Sequence, residues 1–200
     1  MLLSQKLNSS LNLSKKEKLL LQQYDKGDEI SVSRSEIWQI YRGVVQWSKI
    51  QQNGDEIILG WVSANGVFGN NLDSSQMYRA VALSDVYAKR YSTQDVFRQP
   101  LLAKQFLTQF SDRLIKSQKL LSIISIPRVE DRLKQLLLML QQEIGQPKDD
   151  GVRLQVRFTH QHLAEAIHTT RVTVTRVLGD FQAQGLLYFD DARHIVIKDL

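Results

Sequence analysis

The ten residues TTRVTVTRVL, 169–178, admit two incompatible folds, and the choice between them decides the C-terminal half of the chain. Val and Thr alternate with a period of two. All five Val and Thr residues from Val172 to Val177 are β-branched, which is the pattern of a strand. With helical periodicity the same letters separate differently. Val174, Val177, Leu178 and Phe181 fall on one stripe, while Arg171, Val172, Thr175 and Arg176 fall on or beside the opposite face. A β-branched residue costs a helix only about 0.5 kcal/mol, whereas burying a large apolar side chain returns roughly 1.5–3 kcal/mol. A helix is therefore predicted, provided a preceding element offers Leu163, Ala164 and Ile167 to pack against.

The flanking sequence supplies that element. Thr159 can cap a short helix over HQHLAEAI, and Thr170 can cap the next, from Arg171 to Gln184, with Gly185 at its end. Upstream, PRVEDRLKQLLLMLQQEIG reads as an amphipathic helix with Pro127 near its start and Gly145 as the residue after it. QPKDDG then reads as a turn, VRLQVRF as a short strand, and LLYFDDARHIVIK as a hairpin around Asp190-Asp191. Helix, short turn, helix and hairpin is the order of a winged helix-turn-helix.

The first half differs in character. From Ile30 to about Tyr91, short runs rich in β-branched and aromatic residues are separated by RG, QNGD, ANG and LDSS, the spacing of an antiparallel sandwich or barrel. Asn53-Gly54 between two such runs predicts a hairpin. Residues 14–23 read as a short helix capped by Ser14. STQDVFRQ reads as another, with Ser92 or Thr93 as cap, and Pro100 then opens a longer one. Within it Leu107, Leu114 and Leu121 recur every seven residues, with Phe110, Ser117 and Ile124 three places on. This ladder is read as a parallel coiled coil between two copies, in preference to a helix packed on its own sandwich. The predicted fold is thus α+β. An N-terminal antiparallel β-sandwich or jelly-roll sensor domain (1–99) is followed by a dimerisation helix (100–126) and a winged helix-turn-helix (127–200).

Charge narrows the function. The chain of 200 residues carries a net +5. Residues 127–200 hold ten basic and ten acidic side chains, so bulk charge does not mark the C-terminal part as a polyanion binder. Local charge does: from Val152 to Leu178 there are four arginines and one acid, Glu165. Arginine can donate two hydrogen bonds to guanine, and an apolar side chain can rest on the thymine methyl. Helix N-termini and the cap threonines suit phosphates. The expected partner is double-stranded DNA. An adaptor whose winged helix contacts a protein is the alternative, and steep salt dependence would distinguish the two. The absence of cysteine excludes disulfides and Cys-ligated metal sites. With no apolar run of membrane-spanning length and no secretory h-region, a cytoplasmic protein without a membrane partner is expected. His160 and His162, two apart on a helix, point away from each other and are not read as a metal pair. No phosphate-binding glycine loop or catalytic set is present, so no enzymatic activity is expected.

FTHQHLAEAIHTTRVTVTRVLGDFQAQGLL, with the order of elements around it, resembles the DNA-binding motif of the cyclic-AMP receptor/fumarate–nitrate regulator superfamily of bacterial transcription factors. Within that superfamily it is similar to the cyanobacterial global nitrogen regulators. The resemblance is strong over 158–187 and upstream rests on order and spacing. It implies a homodimer on a two-fold symmetric DNA site, a small-molecule sensor in the sandwich, long helices paired across the axis, and RNA polymerase as a further partner. By matching motif positions it implies base reading by Arg171, Val172 and Arg176, with backbone contacts from Thr159, His160, Thr170, Thr173 and Thr175. Val172 stands where much of the superfamily has Glu, which implies a half-site closer to GTA, with TAC in the other half. His168 stands where the motif usually has Gly, in a left-handed turn.

The sensor departs further. FGNN at 68–71 lacks the Gly-Glu that follows Phe-Gly in cyclic-nucleotide binders, and no Arg-Ser pair follows, so cyclic AMP is not expected. A 2-oxoglutarate pocket is matched only in part, by Arg113. Gln118 and Gln76 stand where a Glu and a second Arg are expected, and Arg79 lies close enough in sequence to substitute. The implied effector pocket comprises Phe68, Gly69, Arg79, Arg113 and Gln118. DNA binding without any effector is the remaining expectation.

Overall fold

The structure, a computed structural model, describes residues 21–69 and 77–200. Among these the first part runs β1 (Gln22–Tyr24), β2 (Glu36–Arg42), β3 (Val45–Ile50), β4 (Glu56–Val62), β5 (Val67–Gly69), β6 (Met77–Ala82) and β7 (Val86–Ser92). Alternation of side chains puts Trp38, Ile40, Phe68 and Ala88 of one antiparallel sheet, ordered β1-β7-β2-β5, against Val45, Trp47, Ala80 and Ala82 of the other, ordered β4-β3-β6. Trp38 stacks on Phe68 at 6.4 Å between ring centres, and Trp47 on Tyr78 at 5.2 Å. Gly69 holds φ 97°, and a Cβ there would lie 2.4 Å from the Glu36 carbonyl, so glycine is required.

The hairpin at Asn53-Gly54 is present between β3 and β4, but its loop is longer than a two-residue turn. Gln51 N donates to Asp55 O, and Gly54 alone takes a positive φ, 87°, within it. The helix expected over 14–23 lies mostly outside the described residues. Its end does not hold, because Gln22–Tyr24 pairs with β7 as a strand.

Helices α1 (Thr93–Phe97) and α2 (Pro100–Ile124) follow. Ser92 caps the first by accepting from Asp95 N, and Pro100 opens the second. The seven-residue ladder divides between two faces. Leu107, Leu114 and Leu121 are exposed, 69%, 60% and 66%, and Ile115 and Gln118 join them on that side. The other half turns inward, which corrects the expectation for these residues. Phe110 packs with Phe106 and Ile37, Ser117 donates to Leu59 O at 2.8 Å, and Ile124 packs on the core beneath the winged helix. At about 100° per residue, a step of three residues puts Phe110, Ser117 and Ile124 roughly 60° round the helix from the leucines. On this helix that offset turns them toward the protein's own core while the leucines face out.

The remainder is α3 (Val129–Ile144), β8 (Gly145–Lys148), β9 (Gly151–Leu154), α4 (His160–Ala166), α5 (Arg171–Ala183), β10 (Leu187–Phe189) and β11 (Ile195–Ile197). Its strands form one antiparallel sheet, β10-β11-β9-β8. Gly145 is extended at φ −77°, not left-handed, and starts β8 at once, so only Asp149 and Asp150 of QPKDDG form the turn. Glycine is needed there because a Cβ would meet Gln141 O at 2.2 Å. α5 is the helix whose sequence resembles a strand. Val174, Val177, Leu178 and Phe181 are all buried, in one core with Leu163, Ala164 and Ile167.

His168 sits between α4 and α5 at φ 50°, exposed, with its N–H donating to Glu165 O at 3.3 Å. Left-handed backbone is disfavoured for any residue with a Cβ. His168→Gly should raise stability by about 1 kcal/mol. This is measured as a higher urea midpoint with an unchanged slope, and an unchanged midpoint would mean that the turn stores no strain.

Candidate nucleic-acid interface

Two capped helix N-termini meet at one surface. Thr159 accepts from His162 N at 3.1 Å, while the His162 ring accepts from Thr159 N, completing a reciprocal cap. Thr170 accepts from Thr173 N at 3.2 Å. A threonine that accepts an amide in this way retains its hydroxyl proton for an outside acceptor. Thr170 and Thr173 share one hydroxyl contact, 2.9 Å, which leaves one of the two protons free.

α5 is two-sided. Its buried stripe is fixed against α4, and Arg171, Val172, Thr175 and Arg176 lie exposed. Val172 is 78% exposed, an apolar side chain with no cover. Arg176 reaches Asp180 at 3.0 Å, an exposed i,i+4 pair that biases the guanidinium without burying it. Thr175 is already engaged, since its hydroxyl donates to Arg171 O at 2.8 Å and so accepts from His160 Nδ1 at 2.7 Å. That contact places the neutral ring's proton on Nδ1 and leaves Nε2 to titrate. Burial, then the charge of Arg171, holds the His160 imidazole below its ordinary value. His162 turns to its own cap, so the two histidines diverge as expected, and no cluster able to hold a metal exists among the described residues.

Between α4, the start of α5 and the hairpin lies an open groove of about 800 Å³. Arg157, Arg171 and Arg193 line it with Thr159, His160 and Gln182, and no acidic side chain among the described residues does. Arg193 is presented by a left-handed residue, φ 63°, and its neighbour His194 faces inward to Leu154 O at 2.8 Å. Asp190 pins this hairpin end, accepting from Arg153 at 2.6 Å and from His194 N. Arg157 and Gln182 are absent from the motif's reader positions. The sequence signal for Arg157 was its place beside inward-facing Val156 and Phe158, immediately before the Thr159 cap.

The residues expected to form an effector pocket are not brought together. Phe68 is fully buried in the aromatic core and Gly69 serves the backbone. Arg79 points to the outer face of its sheet, since its neighbours Tyr78 and Ala80 point inward, and it pairs there with Glu29 and Glu56, each at 3.1 Å. Gln118 is exposed beside Leu114 and Leu121. Gln76, Asn70 and Asn71 lie outside the described residues. Arg113 alone of these approaches Phe68, through Val67 and through Trp47, which packs on Phe68 at 5.5 Å. Its guanidinium lies 5.5 Å from the Trp47 ring and 5.2 Å from Phe110, and reaches Val67 O at 3.5 Å. Burial depresses its pKa.

A profile of the Crp-like helix-turn-helix domain matches residues 131–200. The global nitrogen regulator of Synechococcus elongatus is 30% identical over 192 residues, covering 90% of this chain and 86% of the other. The regulatory protein CysR of the same organism is 31% identical over 163 residues, covering 80% and 75%. Among solved structures, a CRP-family transcriptional regulator from Thermus thermophilus aligns with TM-score 0.75 at 17% identity, over 90% of this chain and 92% of that one. FixK2 from Bradyrhizobium japonicum aligns with TM-score 0.73 at 19% identity, over the same shares. With its winged helix-turn-helix carried on a β-sandwich, the chain belongs to the Crp/FNR family of DNA-binding transcription regulators.

Proposed function

We propose that the protein acts as a homodimer on a palindromic site with GTA-like half-sites, reading bases with Arg171, Val172 and Arg176. The observation that carries this reading is the division of α5. A fully buried stripe fixes the helix, and the exposed stripe opposite presents two arginines and an uncovered valine beside an acid-free groove. Arg176 donates to the guanine of the half-site, Arg171 donates to base edges beside it, and Val172 rests on a thymine methyl. Thr159, Thr170, Thr173 and His160, together with Arg157 and Arg193, face the phosphates. Thr175 contributes by holding His160. A groove rich in arginine favours DNA over a protein partner for the winged helix. The exposed Leu107, Leu114 and Leu121, with Ile115 and Gln118, form the dimer seam along α2 and space two recognition helices by one helical turn of DNA, ~34 Å. RNA polymerase is the further partner that a regulator of this kind engages.

Arg171→Ala and Arg176→Ala should each cost about 1–3 kcal/mol on the palindrome and little on a scrambled duplex. Arg157→Ala should weaken both equally and reduce the salt slope by about one. Fluorescence anisotropy titrations at several salt concentrations check all three. Equal affinity of the wild type for both duplexes would contradict base reading.

Proton linkage gives a second test. His160 has a folded value below its unfolded one. Its contribution to stability is complete above the unfolded value of about 6.5 and is lost as pH falls through the folded value. A phosphate beside Nε2 reverses the sign for binding. The complex takes up a proton, so affinity should rise as pH falls from about 7.5 to about 6. His160→Gln should flatten that rise in a pH series of titrations.

Leu114→Glu buries like charges if α2 pairs across a two-fold axis. It should give a monomer by sedimentation and lose palindrome binding, with the circular dichroism of the fold kept.

A further inference from the structure

Of the two arginines on the exposed stripe of α5, one is held and one is not. The Arg176 Nη1 donates to Asp180 Oδ2 at 3.0 Å, one helical turn further on. Arg171 makes no ion pair among the described residues. Asp180 has in turn no other side-chain partner among them. The pair lies at the surface, its side chains 66% and 51% exposed.

The fold gains little from this acid. Exposed ion pairs contribute almost nothing to stability, and here the acid follows the base, the weaker order for an i,i+4 pair. Asp180 also sits in the last turn of a helix that ends at Ala183, where the helix dipole disfavours a negative charge. Aspartate is a poor helix former as well. Gly179, beside it, is poorer still, and a Cβ there would meet nothing within 4 Å. Neither residue is chosen for packing inside the chain. A helix that carries both in its final turns is weakened without an internal return, so their use lies outside the chain.

We propose that Asp180 is a positioning residue for base recognition, fixing Arg176 with one edge presented to guanine and opposing binding where no guanine waits. Asp180 engages only Nη1 of the guanidinium. The edge formed by Nε and Nη2 keeps its two parallel donors, the pattern that meets guanine O6 and N7. An exposed arginine otherwise surrenders its rotamer freedom on binding, and the carboxylate removes part of that cost in advance. The same negative charge repels the phosphates of every sequence. That repulsion is offset only where Arg176 finds its guanine, so the acid trades general affinity for discrimination. The inference rests on base reading by α5. Gly179 leaves the surface around the pair open, with no second side chain to steer Arg176.

The test is titration of the full chain with a palindrome of GTA and TAC halves, with its single-pair variants at each half-site position, and with a scrambled duplex. Asp180→Ala should cut discrimination at the guanine opposite Arg176 about fivefold and raise affinity for the scrambled duplex about twofold. Asp180→Glu, whose carboxylate still reaches across one turn, should keep most of the discrimination. On an Arg176→Ala background, adding Asp180→Ala should leave discrimination unchanged. Thermal melting separates this from a structural role, since Asp180→Ala should match or exceed the wild type in Tm. Discrimination that survives Asp180→Ala overturns the proposal while the base reading stands. So does a loss at a different base pair, which would make Asp180 a reader itself, or an equal loss on every duplex with a lower Tm. A wild type that discriminates at no position overturns the base reading and this proposal with it.

Discussion

The contact between α4 and α5 is the interaction on which the rest depends. Val174, Leu178 and Phe181 bury against Leu163, Ala164 and Ile167, and this apolar seam makes a helix of a sequence with strand character. Each buried large side chain contributes roughly 1.5–3 kcal/mol, against ~0.5 kcal/mol of lost propensity per β-branched position. Propensity therefore yields to packing. The consequence reaches the surface, because once the seam sets the rotation of α5, the exposure of Arg171, Val172 and Arg176 follows without further constraint. A strand of the same letters would have placed Arg171 and Thr173 on one face and Val172 and Val174 on the other.

The same core extends toward the sandwich half. Trp61, Val44 and Ile58 of the sandwich share it with Leu120 and Ile123 of α2, with α3, and with Phe158 next to α4. The winged helix is thus seated on the sandwich through apolar contact, with a thin polar rim at Lys116, Glu143 and Ser63. Apolar seating of this kind resists displacement of one part against the other. The seven-residue ladder on α2 belongs to this arrangement. Its two halves face different ways because positions three apart lie roughly 60° round the helix from each other, enough for one set to pack on the chain's own core while the leucines stay exposed.

Much of the C-terminal part was legible because its signals are local. Thr159, Thr170, Gly185 and His168 each mark a cap or turn through chemistry that acts within four residues. The sandwich was legible as a class, from short β-branched runs. Its pairing order was not, since β1 joins β7 across most of the domain. Gly145 misled because a glycine after a helix usually turns left-handed, whereas this one makes room for Gln141 O and Val152. Arg79 misled for a different reason. Proximity in sequence to the expected pocket says nothing of the face, and Glu29 and Glu56 hold it outside. Trp61 and Lys116, which line one cavity between the β4–β5 turn and α2, belong to no recognisable motif and come together only in the folded chain.

The account stands or falls on whether the exposed stripe of α5 reads base pairs. The most direct measurement is selection of bound duplexes from a randomised pool, carried out in parallel with the wild type and Val172→Glu. The wild type should enrich a two-fold symmetric sequence with GTA and TAC halves. The variant should enrich a different half-site while keeping the guanine opposite Arg176. Identical sequences from both proteins, or no enrichment by the wild type, would contradict it.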